Sequence, residues 1–97
     1  MSGQASGSVI ITHDVGLHAR PSVKLTKLAK GFSATIEIAA AAEGPWIDAK
    51  SIVKVMALKV KQNATLFVRA SGEDAEAAVG AVIGLVKRDF DEAGDGH

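Results

Sequence analysis

The chain has 97 residues, about the size of one small domain. Basic and acidic side chains number 11 each, so the chain as a whole has no electrostatic attraction to nucleic acid or to an anionic membrane. The absence of cysteine excludes disulfides, thiolate catalysis and cysteine-ligated metal centres. The histidines (His13, His18 and His97) lack the spacing of a metal motif, so we expect neither a metal nor a cofactor.

The two ends of the chain differ in composition from its middle. Residues 1–8 are small and polar, which predicts a flexible leader and not a secretion signal. Residues 93–97 are predicted to be a flexible tail, and residues 9–92 a single domain. The most apolar stretch, residues 77–86, is too short to span a membrane. We therefore expect a cytoplasmic protein without membrane insertion.

The first half of the domain alternates between strand and helix patterns. Residues 9–12 form a β-branched run typical of a buried strand. Pro21 favours the first turn of a helix over residues 20–30, which Gly31 ends. Residues 34–40 alternate between apolar and polar side chains, which indicates a half-buried strand.

The second half continues in the same way. After a glycine-proline turn, residues 46–48 are predicted to return as a partner strand. Ser51 is a candidate cap for a short helix, and Asn63 tolerates a left-handed turn. Residues 65–70 alternate clearly and predict another strand.

The last element is predicted to be a helix. Ser71 and Asp74 resemble a capping box at its start, and apolar residues follow at helical spacing. Gly80 and Gly84 would allow this helix to approach the sheet closely. The order β-α-β-β-α-β-α predicts an α+β fold, with one antiparallel or mixed sheet and helices packed on one face.

Charge is balanced overall but segregated along the chain. Residues 18–61 carry eight basic and three acidic side chains, whereas residues 73–97 carry seven acidic and two basic ones. This pattern has two interpretations, which are solvated helix faces or a basic docking surface for acidic partners.

The stretch over residues 16–22 carries candidate chemistry. Pro21 places His18 at or just before a helix N-terminus, where unpaired backbone N–H groups of residues such as Ala19 attract anions. Arg20 supplies a guanidinium that can grip phosphate oxygens. A largely neutral histidine offers one ring nitrogen as a nucleophile. The residues thus suit phosphoryl transfer, and a surface histidine beside a solvated arginine is the alternative.

Residues 16–21 (Gly-Leu-His-Ala-Arg-Pro) match the active-site signature of the HPr family, the histidine-containing phosphocarriers of the bacterial phosphotransferase system. Residues 50–58 and 68–79 resemble the same family, and the resemblance covers about residues 9–92. It implies an open-faced β-sandwich, in which a four-stranded antiparallel sheet carries three helices on one face.

The resemblance also implies roles for single residues. His18 resembles the histidine that is phosphorylated on Nδ1, and Arg20 the arginine that assists the transfer. The donor would be phosphoenolpyruvate acting through enzyme I, and the acceptor an enzyme IIA domain. The chain would then be the carrier component of a phosphotransferase, with no free small-molecule substrate.

Further residues resemble surfaces that the family uses. Apolar docking residues around the histidine would be Leu17, Ile52, Val53 and Met56, although core packing is the alternative for Ile52. Ser51 aligns with the serine that HPr kinase/phosphorylase modifies in many bacteria, and it is equally a plain helix cap. Lysines stand where glycines are common in substrates of that kinase, at positions 54 and 59.

Two function classes remain. The first is a phosphocarrier in sugar uptake or in a nitrogen-related or regulatory relay, and the second is a regulatory docking protein controlled through Ser51. The presence of both His18 and Arg20 favours the first. A nucleic-acid-binding module ranks third because aromatic residues are scarce. Presentation of one histidine to two successive partners predicts a monomer.

Overall fold

The computed structural model describes residues 3–12, 19–88 and 90. Four strands and three helices alternate along this part of the chain. They are β1 (Gln4–Ile10), α1 (Ala19–Lys30), β2 (Thr35–Ala39), β3 (Ile47–Asp48), α2 (Ile52–Leu58), β4 (Thr65–Ser71) and α3 (Ala75–Lys87). The strands form one antiparallel sheet in the order β1-β4-β2-β3. The predicted α+β class and the element order are confirmed.

One face of the sheet is buried under the helices. Val68 of β4 lies opposite Ile38 of β2 on one side and Gly7 of β1 on the other, and Val68 and Ile38 are fully buried. The helices supply the other half of the core with residues that include Leu25 and Ala29 of α1, Val55 of α2, and Val82 and Val86 of α3. Each fully buried valine, leucine or isoleucine contributes about 1.5–3 kcal/mol relative to an exposed one.

The first strand begins earlier than the sequence predicts. Residues 4–8 pair with β4, so the flexible leader predicted for residues 1–8 is wrong for these five residues. The positions of this segment that face the helices are Ala5 and Gly7, which are too small to show the apolar alternation of a strand. A Cβ on Gly7 would lie 2.8 Å from Cδ1 of Ile83 in α3, so a larger residue at this position would require the Ile83 side chain to shift.

The glycine that lies nearest to a side chain of α3 is therefore in the strand and not in the helix. The prediction that Gly80 and Gly84 serve this purpose is wrong, since a Cβ on Gly80 would meet nothing within 4 Å and one on Gly84 would meet only Arg88. The predicted tail at residues 93–97 lies outside the described residues.

The turn before α3 also differs from the prediction. Asp74 stands at the N-cap position, but its side chain makes no capping hydrogen bond, so the predicted capping box is wrong. The carboxylate of Asp74 instead accepts hydrogen bonds from the backbone N–H groups of Ser33 (2.9 Å) and Ala34 (2.8 Å). The bond from Ser33 and that from Ala34 lower the pKa of Asp74. Asp74 thereby joins the start of α3 to the segment that leads into β2.

The other face of the sheet is open and polar. Arg69 of β4 donates from Nε to Glu37 of β2 at 2.7 Å, and its guanidinium lies 4.1 Å from the ring centre of Trp46. The single tryptophan of the chain is thus covered by an arginine. Among the described residues, no helix is long and apolar enough to cross a membrane.

Candidate functional site

Helix α1 begins at Ala19, the residue that directly follows His18 in the sequence. Three predicted site residues, Gly16, Leu17 and His18, lie outside the described residues. Ala19 and Arg20 are exposed in the first turn of α1. The described part of the site is therefore a helix N-terminus that presents an arginine to solvent.

The inner side of the same turn is buried. Pro21 and Ser22 pack into the protein, and the Ser22 carbonyl accepts a hydrogen bond from the Thr26 hydroxyl one turn later. Pro21 suits this position because an N-terminal turn needs no backbone donor there. Burial of these residues leaves Arg20 on the outer side of a firmly anchored turn.

The electrostatics of α1 favour an anion at its start. Its first turn contains no acidic residue, whereas Lys27 and Lys30 occupy its last turn. The unpaired N–H groups of a helix start carry a partial positive charge, which the guanidinium of Arg20 reinforces. A phosphoryl group next to Ala19 would therefore meet positive potential from the backbone and from a side chain.

A second helix start holds Ser51. Its backbone is extended (φ −105°, ψ 111°), and its hydroxyl accepts a hydrogen bond from the Lys54 backbone N–H at 3.3 Å. The prediction that Ser51 caps α2 is confirmed. The side chain is only half-buried, which leaves the hydroxyl within reach of a modifying enzyme.

Lys50 anchors the entry to α2. Its Nζ donates to the carbonyl of Phe32 at 2.8 Å, in the segment that follows α1, and its backbone N–H donates to Asp48 at 2.9 Å. Lys50 thus ties the start of α2 to the end of α1.

Exposed apolar side chains project from α1 and α2. Val53 is 74% exposed and Met56 is 41% exposed, whereas Ile52 is half-buried. Val23 on α1 is 46% exposed, and the sequence reasoning did not single it out. The helical repeat is the signal that could have identified Val23, because the buried residues of α1 fall at positions 21, 22, 25, 26 and 29 and leave position 23 facing outward. We call Val23, Ile52, Val53 and Met56 the docking residues.

The part of the chain that the structure describes contains no cluster of three or more histidine, cysteine or acidic side chains able to hold an ion. The arrangement instead offers one arginine, one helix N-terminus and a flanking apolar surface. These groups can stabilise a phosphoryl group and bind a protein surface.

Comparison with known families agrees with this chemistry. Residues 5–88 match the family model PTS-HPr, described as the PTS HPr component phosphorylation site. The chain belongs to the PTS HPr family. It is 42% identical over 78 residues to the phosphocarrier protein HPr of Mycoplasma capricolum, covering 80% of this chain and 85% of that one. It is 36% identical over 85 residues to the phosphocarrier protein NPr of Escherichia coli, covering 88% and 93%.

Solved structures lead to the same family. The fold resembles the crystal structure of HPr from Thermoanaerobacter tengcongensis with a TM-score of 0.83 and 32% identity, over 91% of this chain and 97% of that one. The predicted HPr resemblance is confirmed in sequence and in fold. The chain is a phosphocarrier component of the phosphotransferase system, and the alternative of a purely regulatory docking protein is not favoured.

Proposed function

We propose that His18 accepts a phosphoryl group from phospho-enzyme I, with phosphoenolpyruvate as the ultimate donor, and passes it to an enzyme IIA domain. The observation that carries this proposal is the start of α1. The helix begins directly after His18, exposes Arg20 and has no acidic residue in its first turn. Family membership supplies the phosphocarrier chemistry that this helix start suits.

The transfer needs a nucleophile and groups that stabilise the negative charge on the phosphoryl oxygens. The neutral imidazole of His18 attacks phosphorus through Nδ1, and the phosphorus–nitrogen bond forms as the bond to enzyme I breaks. Arg20 and the N–H groups at the start of α1 then stabilise the negative oxygens. In the second step the same bond breaks as the enzyme IIA nucleophile attacks. Each partner protein supplies the rest of the reacting site.

Partner binding involves the docking residues together with Leu17. Val53 and Met56 are large apolar side chains with part of their surface in water. Because complete burial of such a side chain contributes about 1.5–3 kcal/mol, burial under a partner would contribute most of that for Val53 and less than half of it for Met56. Neither α1 nor α2 contains an acidic residue, and lysines accompany the apolar side chains. An acidic rim on the partner would speed the encounter in a salt-dependent way. This surface suits short-lived complexes with enzyme I and enzyme IIA in the cytoplasm.

Ser51 suits a regulatory role under HPr kinase/phosphorylase. A phosphate on its hydroxyl would sit at the N-terminus of α2, where negative charge stabilises a helix. The same charge would stand next to Ile52 and Val53, which have to be desolvated when a partner docks. Phosphorylation would therefore keep α2 folded and weaken docking.

A two-step relay tests the proposed function. Enzyme I, phosphoenolpyruvate and an enzyme IIA domain are combined with and without substoichiometric amounts of this chain. The expected result is phosphorylation of the enzyme IIA domain only when the chain is present, with many turnovers per carrier. Phosphorylated chain without onward transfer would contradict the acceptor assignment, and no phosphorylation of the chain would contradict the donor assignment.

A further inference from the structure

A group of apolar side chains crosses the open face of the sheet. Phe67 of β4 alternates with buried core residues, so it points to the open side, and it lies directly opposite Ala39 of β2. Ala39 is fully buried but does not belong to the core cluster between the sheet and the helices. The register of β2 with β3 brings Trp46, the residue before Ile47, next to Ala39. Large side chains therefore cover this part of the face.

The same group reaches the first strand of the sheet. Ile10 of β1 stands between two buried core residues, so its side chain points to the open face, where it is 53% exposed. It pairs with Thr65 and is a diagonal neighbour of Phe67, two residues further along β4. The other exposed large hydrophobic side chains in the described part of the chain are all docking residues. We call Ile10, Phe67 and Trp46 the open-face residues.

An arginine is held beside these residues. Arg69 donates from Nε to Glu37 at 2.7 Å, and its guanidinium lies over the ring of Trp46. These two contacts order the side chain before any partner arrives, so it loses less conformational freedom on binding. Arginine and tryptophan are among the side chains that most often dominate the binding energy of protein interfaces. The open-face residues and Arg69 thus have the composition of a protein-binding surface.

One row of side chains across the sheet leaves negative charge uncompensated. From β1 to β3 the row is paired in direct register and consists of Ser6, Arg69, Glu37 and Asp48. Like charges on paired residues destabilise a sheet, and in the described structure Arg69 forms its ion pair with Glu37 and not with Asp48. The exposed Glu43 lies in the hairpin between β2 and β3. The outward strand positions and this hairpin therefore carry three acidic side chains and one basic one.

We propose that the open face of the sheet binds a segment of a partner protein in which a basic side chain stands next to an apolar one. The basic side chain lies between Glu37 and Asp48, and the apolar side chain packs on the open-face residues. These two positions are two residues apart along the strands, a separation of about 7 Å. The face is about 14 Å across its four strands, which a short extended segment can cross. Its negative charge repels phosphate-rich ligands such as nucleic acid.

This surface is separate from the one that serves phosphoryl transfer. The docking residues lie on α1 and α2, which cover the opposite face of the sheet. Neither of these helices has an acidic residue, whereas the open face is acidic, so the two surfaces select partners of opposite charge. A phosphocarrier of this kind can hold one partner on its sheet while it exchanges a phosphoryl group with another.

Fluorescence of the single tryptophan tests the surface directly, because Trp46 is part of it. The probe is a capped peptide, Phe-Ser-Lys-Ser-Lys, whose extended backbone places the phenylalanine and both lysines on one side at spacings of about 7 Å. Titration of the full chain is expected to change the Trp46 emission saturably, with a dissociation constant of about 1 mM or lower. The peptide Phe-Lys-Ser-Lys-Ser has the same composition but turns its lysines to the other side. It is expected to bind about fivefold more weakly.

Variants of the face locate the binding. Asp48→Asn removes a charge but keeps an oxygen that can accept from the Lys50 backbone N–H, so the fold is expected to hold while binding weakens about fivefold. Ile10→Ser is expected to weaken binding by about the same factor, because half of this side chain is available to a partner. Glu76→Gln removes a charge from an exposed position on α3, on the helical side of the sheet, and is expected to have no effect. Circular dichroism checks the fold of each variant.

The absence of a saturable change in Trp46 emission up to about 10 mM peptide would overturn the proposal. Equal binding of the two peptides, or equal binding by the natural chain and Asp48→Asn, would overturn it as well. Phosphorylation by enzyme I checks that the two surfaces are separate. Saturating peptide is expected to leave the phosphorylation rate of the chain unchanged, and a slower rate would show that the peptide occupies the docking residues instead.

Discussion

Helices α1 and α3 begin with opposite charge. The first turn of α1 contains Arg20 and no acidic residue, whereas α3 has Asp74 at its N-cap position and Glu76 in its first turn. The first N–H groups of any helix have no partner within the helix itself, and their partial positive charge attracts anions. At α3 the protein supplies its own negative charge, and Asp74 binds Ser33 and Ala34. At α1 it supplies none, so that turn suits a phosphoryl group brought from outside.

Two helix N-termini with the same kind of backbone thus serve different purposes. An acidic side chain at a helix start stabilises the fold and repels a further anion. A helix start without one gives up that stabilisation and gains affinity for anions. The start of α1 is of the second kind. It follows His18 directly in the sequence, and this position connects it to phosphoryl transfer.

Among the variants that test this difference between the helix starts, Arg20→Ala is expected to have the largest effect on phosphoryl transfer. Removal of the guanidinium leaves only the helix N–H groups to stabilise the transferred phosphoryl group, so the transfer rate is expected to fall about 10²-fold, as loss of one stabilising donor does in other sites. Stability is expected to change little because Arg20 is exposed. Rapid-quench phosphorylation by enzyme I measures the rate. An unchanged rate would remove Arg20 from the mechanism.

The next variant makes α1 resemble α3. Ala19→Glu puts an acidic residue into the first turn of α1, where it stabilises the helix but repels phosphate, and the expected slowing of transfer is about tenfold. Ala77→Glu places the same charge near the start of α3, at an exposed position, and is its matched control. The same assay should show slowing in the first variant alone. Equal rates in both would show that the bare helix start does not contribute.

Substitutions of Ser51 extend the comparison of helix starts to α2. Ser51→Asp keeps an N-cap, so the melting temperature is expected to hold, while its charge next to Ile52 and Val53 is expected to weaken enzyme I binding about tenfold. Ser51→Ala should do the reverse, with about 1 kcal/mol lost from the free energy of unfolding and docking retained. Titration calorimetry and thermal melts give the two quantities. Unchanged affinity in Ser51→Asp would contradict the regulatory role.

The smallest expected effect is a pH dependence at Asp74. Hydrogen bonds from Ser33 and Ala34 lower the pKa of this carboxyl in the folded state, so its contribution to stability is complete above the pKa of the unfolded chain, about 4. That contribution is lost as the pH falls through the lowered folded-state pKa. Urea unfolding across pH should show the difference between the natural chain and Asp74→Asn shrinking on acidification. A difference that stays constant with pH would show that the charge of Asp74 contributes nothing.

Local pattern was sufficient to predict most of the fold. The apolar stripe of α1, the cap at Ser51 and the alternation of β4 lie within short segments, and each is confirmed. The start of β1 could not be predicted because its inward positions are Ala5 and Gly7, whose role depends on a helix far along the chain.

The site was predicted less completely. Arg20 follows from its motif. Outside the site, the role of Asp74 depends on contacts with residues about forty positions away, which no local pattern reveals. The exposure of Val23 similarly depends on which side of α1 meets the sheet and α2. Such contacts are set by tertiary packing, which a helical repeat constrains only in part.

Intact-mass spectrometry tests the central claim most directly. The chain and a His18→Ala variant of the same fold, checked by circular dichroism, are incubated with phosphoenolpyruvate and enzyme I. The account predicts that the natural chain gains the mass of one phosphoryl group, that acid removes it, and that the variant gains nothing. Equal phosphorylation of the variant, or a gain that acid does not remove, would contradict the assignment of His18 as the phosphoryl acceptor at the start of α1.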